Sequence, residues 1–255
     1  MNRIKIVIMM AWLLAPAFAM AQSDLPRTWF EEGNDAYNQG LYEQALEKYG
    51  RILDFGLESA ELYYNMGNAY YKMKSFPMAI LYYEKALKLD PGNEDLKTNL
   101  EIANLAVADK IETLPEPFYK RWWNDLRSIC STDGWAWVGI IAFALALLCL
   151  YAFLMARRTG LRKLGFFAGL LMLAVLAVSL AFAIDKHADL MRQDEAVIMT
   201  PTVTVMSSPS ESSVNLFVLH EGAKVRVLDR SGDWNKIKIA DGSVGWLQSK
   251  EMIAF

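Results

Sequence analysis

Residues 135–156, WAWVGIIAFALALLCLYAFLMA, and 164–184, LGFFAGLLMLAVLAVSLAFAI, contain no charged side chain. Each run reaches the length of about 20 residues that an α-helix needs to cross a bilayer, and each far exceeds a buried strand. They predict a two-helix transmembrane hairpin, in keeping with a hydrophobic fraction of 54% and a mean hydropathy of +0.14. The connection, 157–163, carries Arg157, Arg158, Arg162 and Lys163. By the positive-inside rule it is cytoplasmic, so the flanking segments lie on the outer side. Neither run holds an Asp, Glu, Lys, Arg or His, and two helices leave no room for a transport pathway. Gly165 and Gly169 form a small-xxx-small pair suited to close helix packing.

The N-terminus agrees with that topology. Arg3 and Lys5 precede the apolar stretch 6–15, IVIMMAWLLA, and Ala19-Met20-Ala21 offers a cleavage site before Gln22. This pattern predicts a secretory signal peptide over 1–21, with an uncleaved anchor as the alternative, and exports residues 22–134. Just before the first run, PFYKRWWNDLRSI (117–129) sets Phe118, Trp122, Trp123, Leu126 and Ile129 at helical spacing beside basic residues. Within the linker 113–134 this reads as an interfacial amphipathic helix; the alternative is a linker packed on the soluble domain.

The exported part repeats with a period of 34. Aligning 26–59 with 60–93 matches Trp29 with Tyr63, Gly33 with Gly67, Asn34 with Asn68, Tyr37 with Tyr71, Ala45 with Ala79 and Tyr49 with Tyr83. This period and residue pattern are those of tetratricopeptide repeats, paired antiparallel helices that stack into an array. Residues 94–112 add a capping helix with Leu96, Leu100, Ala103 and Val107 on one face, so the all-α repeat domain spans 22–112. The concave face of such an array is lined by the first helix of each repeat. Phe30, Asn34, Tyr37 and Asn38 fall there in the first unit, and Tyr64, Asn68, Tyr71 and Lys72 in the second. One reading is a partner-binding face, the asparagines bonding an extended peptide's backbone and the tyrosines giving apolar area. The other is that these residues serve packing and solubility. Lys72 alone cannot make a clamp for a terminal carboxylate.

After a linker at 185–193, residues 194–255 change character. VTV (203–205), KVRVL (224–228), NKIKI (235–239) and VGWL (244–247) read as short strands, and Asp241-Gly242 marks a two-residue hairpin turn. Five or so short strands make a small all-β barrel. "VTVMSSPS", "LHEGAKVRVL", "SGDWNKI" and "GSVGWL" resemble the bacterial SH3 domain, a family that binds wall or protein peptides or serves as an anchor. Met206 stands where that family's motif has an arginine. Trp234 and Trp246 read as barrel packing, with a ligand platform as the alternative. Asp185, Asp189, Asp194 and Glu195 read as a solvated juxtamembrane face.

Several function classes are excluded. A net charge of −3 with no basic face argues against nucleic acid. Cys130 and Cys149 are too far apart for a metal site or a disulfide. His187 and His220 have no nucleophile setting, and no catalytic motif is present, so the expectation is no enzyme, no cofactor and no metal.

The order of signal peptide, two repeats with a cap, WWNDLRSICSTDGWAWVG leading into the hairpin, and a terminal SH3-like domain resembles the BatE family of Bacteroides-type aerotolerance operons. The resemblance implies an inner-membrane scaffold with both soluble modules in the periplasm. Its implied partners are Bat-type membrane proteins with von Willebrand A domains and, through them, a MoxR-type ATPase. Peptidoglycan, bound by the SH3-like domain of a wall-tethering protein, is the alternative partner.

Overall fold

The computed structural model describes residues 24–110, 117–192 and 194–255. The signal peptide expected over 1–21 lies outside them.

Five helices form the repeat domain: α1 (24–38), α2 (Tyr42–Asp54), α3 (Ala60–Lys72), α4 (Phe76–Leu89) and α5 (Glu94–Leu105). Small residues set their spacing. A Cβ on Gly67 would come within 2.6 Å of the Tyr83 ring, and Gly33 meets Tyr49 in the same way one repeat earlier. Ala45, Ala79 and Ala86 are fully buried between the helices. Local chemistry starts the helices. Ser59 Oγ accepts from Leu62 N at 3.0 Å, Asn93 Oδ1 caps Asp95 and Leu96, and Pro77 sits in the first turn of α4. The left-handed turn after α1 is made by Gly40 (φ 79°); its counterpart one period on is Lys74 (φ 61°).

The capping helix is shorter than the 94–112 expected. Past Leu105 the chain turns away, carrying Val107 into a buried position and Asp109 to the SH3-like domain.

Helix α6 (Phe118–Ser128) leads into α7 (Thr132–Met155) and α8 (Thr159–Met191). The latter two are long and apolar enough to cross a membrane, and only 17% and 11% of their most apolar windows are buried. Such outward-facing apolar surface suits lipid as its surroundings. The segment read as a loop over 157–163 is in part helical, since Arg162 and Lys163 belong to the first turns of α8. At about 1.5 Å per residue, the 33-residue α8 is about 50 Å long and overshoots the hydrocarbon core. Gly165 earns its place: a Cβ there would sit 2.9 Å from the Cys149 carbonyl oxygen.

The C-terminal domain is an antiparallel sheet ordered β3-β2-β6-β5-β4-β1-β7, formed by β1 (Glu195–Ile198), β2 (Thr202–Met206), β3 (Asn215–His220), β4 (Lys224–Ser231), β5 (Trp234–Lys238), β6 (Val244–Gln248) and β7 (Met252–Ala254). The four expected strands are β2, β4, β5 and β6. The β5–β6 turn holds three residues rather than two, because Ile239 N donates to Ser243 O at 3.0 Å and closes the turn outside Asp241-Gly242. Trp234 and Trp246 stay half-buried and do not enter the barrel core built on Val205, Val225, Ile237 and Leu247.

The two soluble modules share a core. Val197 and Phe255 of the sheet join the helical cluster of Ile80, Leu96 and Val107. Gly222 (φ 86°) lies so close that a Cβ would meet Val107 Cγ2 at 2.6 Å. Polar contacts surround this junction. Lys224 Nζ lies 2.8 Å from Glu84 Oε2 on α4 and 2.9 Å from Glu195 Oε2 on β1. Both oxygens of Asp109 are engaged by His220, one by its backbone N–H and one by Nδ1, each at 2.7 Å. Lys88 Nζ donates to the carbonyls of Arg192 and Phe255.

The acidic group therefore differs from the solvated face expected. Asp185 and Asp189 hold Arg127 of α6, and Glu195 holds Lys224 and Arg226. Folding brings cations from distant parts of the chain to these carboxylates.

Candidate functional site

The concave face is built by α1, α3 and α5, with α4 behind them. Its framework is a ladder that repeats with the sequence period. Asn34 Oδ1 accepts from Tyr49 OH at 2.7 Å and from Asn65 Nδ2 at 3.0 Å. One repeat on, Asn68 Oδ1 accepts from Tyr83 OH at 2.7 Å and from Asn99 Nδ2 at 3.1 Å. Burial pushes the Tyr49 hydroxyl up to about 12 and raises that of Tyr83, so both remain donors at neutral pH. The asparagine oxygens thus staple one helix pair to the next.

Around Asn68 the face deepens into a hollow of about 300 Å³. Tyr37, Tyr64, Asn68, Tyr71 and Lys72, five of the sequence-derived residues, line it together. Phe30, Asn34 and Asn38 do not. Phe30 packs on the Tyr49 ring (centroids 6.0 Å apart), Asn34 is part of the ladder, and Asn38 is exposed at the end of α1. Tyr83, Asn99 and Ile102 also line the hollow and were missed by sequence reasoning. Asn99 had a signal: it stands one period after Asn65. Asn99 Nδ2 also donates to Tyr64 OH at 2.9 Å, fixing that ring at the rim. Tyr37 and Tyr71 are each held edge-on by an aromatic of the following helix, Tyr42 at 5.3 Å and Phe76 at 5.6 Å. The result is a preorganised surface of aromatic rings with amide, hydroxyl and one ammonium group. It suits an extended polypeptide, whose carbonyls need donors and whose side chains need apolar area.

A second hollow lies on the SH3-like domain, away from the repeats, where Trp234 is flanked by Glu211, Asp233, Gln248, Ser249 and Lys250. Among the described residues, no group of three or more His, Cys, Asp or Glu side chains could hold a metal ion.

Comparisons with known proteins agree with this architecture. Residues 60–93 match the tetratricopeptide repeat family, and residues 202–252 match the bacterial SH3 domain family. Among curated proteins, the chain is similar to protein O-mannosyl-transferase TMTC1 of Mus musculus, at 36% identity over 72 residues, 28% of this chain and 8% of that protein. It is similar to sperm-associated antigen 1 of Rattus norvegicus at 30% identity over 87 residues, 34% of this chain and 10% of that protein. The chain spans a tenth or less of the length of these relatives. The protein therefore combines a tetratricopeptide repeat, two apolar helices of membrane-spanning length and a bacterial SH3 domain. Both domains are of interaction type.

Proposed function

We propose that this protein is a non-enzymatic membrane scaffold that holds an extended segment of a partner protein in the groove of its repeat domain. The observation that carries the reading is the hollow of Tyr37, Tyr64, Asn68, Tyr71 and Lys72, fixed by ring packing and by the asparagine ladder. Lys72 favours a segment with an acidic residue, and exposed Ile102 favours an apolar one nearby.

The shared core of the two soluble modules supports a common side of the membrane for both, as two spans require. With the basic connection at 157–163 in the cytoplasm, that side is the periplasm of a bacterial inner membrane. The domain order supports membership of a Bat-type aerotolerance assembly, with membrane proteins bearing von Willebrand A domains as direct partners and a MoxR-type ATPase beyond them.

A photocrosslinking amino acid at Tyr71, in cells, tests the groove. A discrete crosslinked protein, lost on Lys72→Glu and absent with the probe at Gly50 on α2, is expected. Equal crosslinking from both positions would refute the reading.

The hollow beside Trp234 favours a second reading, in which the SH3-like domain tethers the protein to peptidoglycan. An aromatic ring among polar groups is the kind of site that takes sugar or wall-peptide ligands. Sedimentation of the detergent-solubilised protein with purified sacculi separates the two readings, because loss of co-sedimentation on Trp234→Ala is expected of the tether alone.

A further inference from the structure

Helix α6 separates its residues into two complete halves. At about 100° per residue, Phe118, Tyr119, Trp122, Trp123, Leu126 and Ile129 share one half of its surface. Lys120, Arg121, Asn124, Asp125, Arg127 and Ser128 share the other. An apolar half of this size is ordinarily buried. Here it is not: α6 has no buried residue, and Phe118, Ile129 and Trp122 are 86%, 69% and 67% exposed.

The edge of the helix nearest α8 fixes its depth. Trp123 packs on Phe182 (centroids 4.7 Å apart), which also packs on Trp135 of α7. One turn further along, Arg127 pairs with Asp185 and Asp189 of α8, and Trp135 Nε1 donates to Arg127 O at 3.1 Å. These contacts hold α6 at the level where the apolar run of α8 gives way to charge. The remaining aromatic face is exposed, as are the apolar surfaces of α7 and α8.

We propose that α6 is a membrane-surface helix whose face of Phe118, Tyr119 and Trp122 enters the headgroup and upper acyl region of the bilayer. Its partner is the lipid surface itself, and the proposal rests on reading α7 and α8 as spans. Lys120 and Arg121 lie on the polar half, where they meet anionic headgroups, and aromatic rings are favoured at this depth. The helix then acts as a third point of membrane contact. It stands directly beneath the repeats, because the α4–α5 turn (Leu89 to Asn93) and the α6–α7 turn (Ser128 to Ser131) line one hollow together with Lys186.

The test uses the full chain in liposomes containing anionic lipid, with Cys130 and Cys149 replaced by serine. A nitroxide is attached through Phe118→Cys, Trp122→Cys, Lys120→Cys or Asn124→Cys, with Ile140→Cys on α7 as the reference for a span. Collision with oxygen, which partitions into lipid, is compared with collision with a water-soluble nickel chelate. An oxygen-to-nickel ratio on the order of tenfold higher at 118 and 122 than at 120 and 124 is expected for a helix seated in the interface. Equal ratios at 122 and 124, with 140 still protected from nickel, would overturn the proposal while leaving the spans intact. Exclusion of both reagents from 122 would also overturn it, because protein and not lipid would then cover the face. Nickel reaching 140 would instead overturn the spanning reading beneath it.

Discussion

Lys224 is the electrostatic centre of the junction between the repeats and the SH3-like domain, and Lys224→Met should undo that junction while leaving each module folded. The ammonium lies 2.8 Å from Glu84 and 2.9 Å from Glu195, whose side chains are 13% and 24% exposed. Methionine keeps the bulk but leaves Glu84 without a counterion and Glu195 with Arg226 alone, at 3.4 Å. Removing one partner of a fully buried pair costs about 3–5 kcal/mol, whereas exposed pairs are worth about 0.2–1 kcal/mol. The Lys224 side chain is 38% exposed, so solvent screens part of the loss and a cost of about 2–3 kcal/mol is expected. Val107 offers the assay, since it is buried against Gly222 and becomes accessible when the modules part. In a chain lacking Cys130 and Cys149, the Val107→Cys thiol should react about 30- to 150-fold faster in the Lys224→Met background, at tenfold per 1.4 kcal/mol. Adding Glu84→Gln should restore about 1 kcal/mol of that loss, because it removes the carboxylate left without a counterion while Glu195 keeps Arg226. A labelling rate changed by less than about twofold would mean that Lys224 does not hold the junction.

The same assay reads pH. Burial raises the Glu84 carboxyl above its usual range, outweighing Lys224. Burial alone would also raise Glu195, but Lys224 and Arg226 prevail and hold it below that range. Protonation of Glu84 favours docking as pH falls through its raised value, and protonation of Glu195 opposes docking only at lower pH, so docking should first strengthen and then weaken on acidification. Glu84→Gln removes the favourable half, and its thiol labelling, divided by that of the same thiol in the unfolded chain to cancel the loss of thiolate, should accelerate as pH falls through the lowered Glu195 value; a flat corrected profile would contradict this. Lys74→Gly should stabilise the repeat domain by about 1 kcal/mol in denaturant unfolding, because lysine holds the left-handed turn that Gly40 makes in the first repeat. Asn99→Ala should cost about 1 kcal/mol by the same measurement, since it removes the donor to Asn68 and Tyr64.

What the sequence could convey depended on how far apart the interacting residues lie. The period of 34 revealed the helix pairs, because Gly33 and Gly67 must admit Tyr49 and Tyr83 wherever such pairs form. Extending that period one step would also have found Asn99. The apolar runs were legible because hydrocarbon tolerates so few alternatives to a long uncharged helix. Strand β1 was less visible: it is buried along most of its length and lacks the alternation that marks a half-exposed strand. The junction was not legible at all. Glu84 and Lys224 are 140 residues apart, and Asp109 and His220 are 111 apart. No local pattern distinguishes them from solvated charges, as the misreading of Asp185, Asp189 and Glu195 illustrates.

Helix α4 joins the two binding-type modules through neighbouring residues that face different ways. Tyr83 lines the groove, while Glu84 meets Lys224 on the SH3-like domain. Successive helical positions differ by about 100°, so one rigid helix can serve both surfaces without placing their ligands in competition. Coupling between the sites would need α4 to have two arrangements. Its core argues for one, since Ala79, Ile80, Leu81, Tyr83 and Ala86 are all buried and closely packed. A rigid α4 makes a checkable statement: Asn99→Ala, which loosens the groove, should leave Val107→Cys labelling within about twofold of the parent, as expected for independent sites. A change as large as that from Lys224→Met would mean that events in the groove reach the junction, and the proposed scaffold would then be a switch instead of a fixed platform.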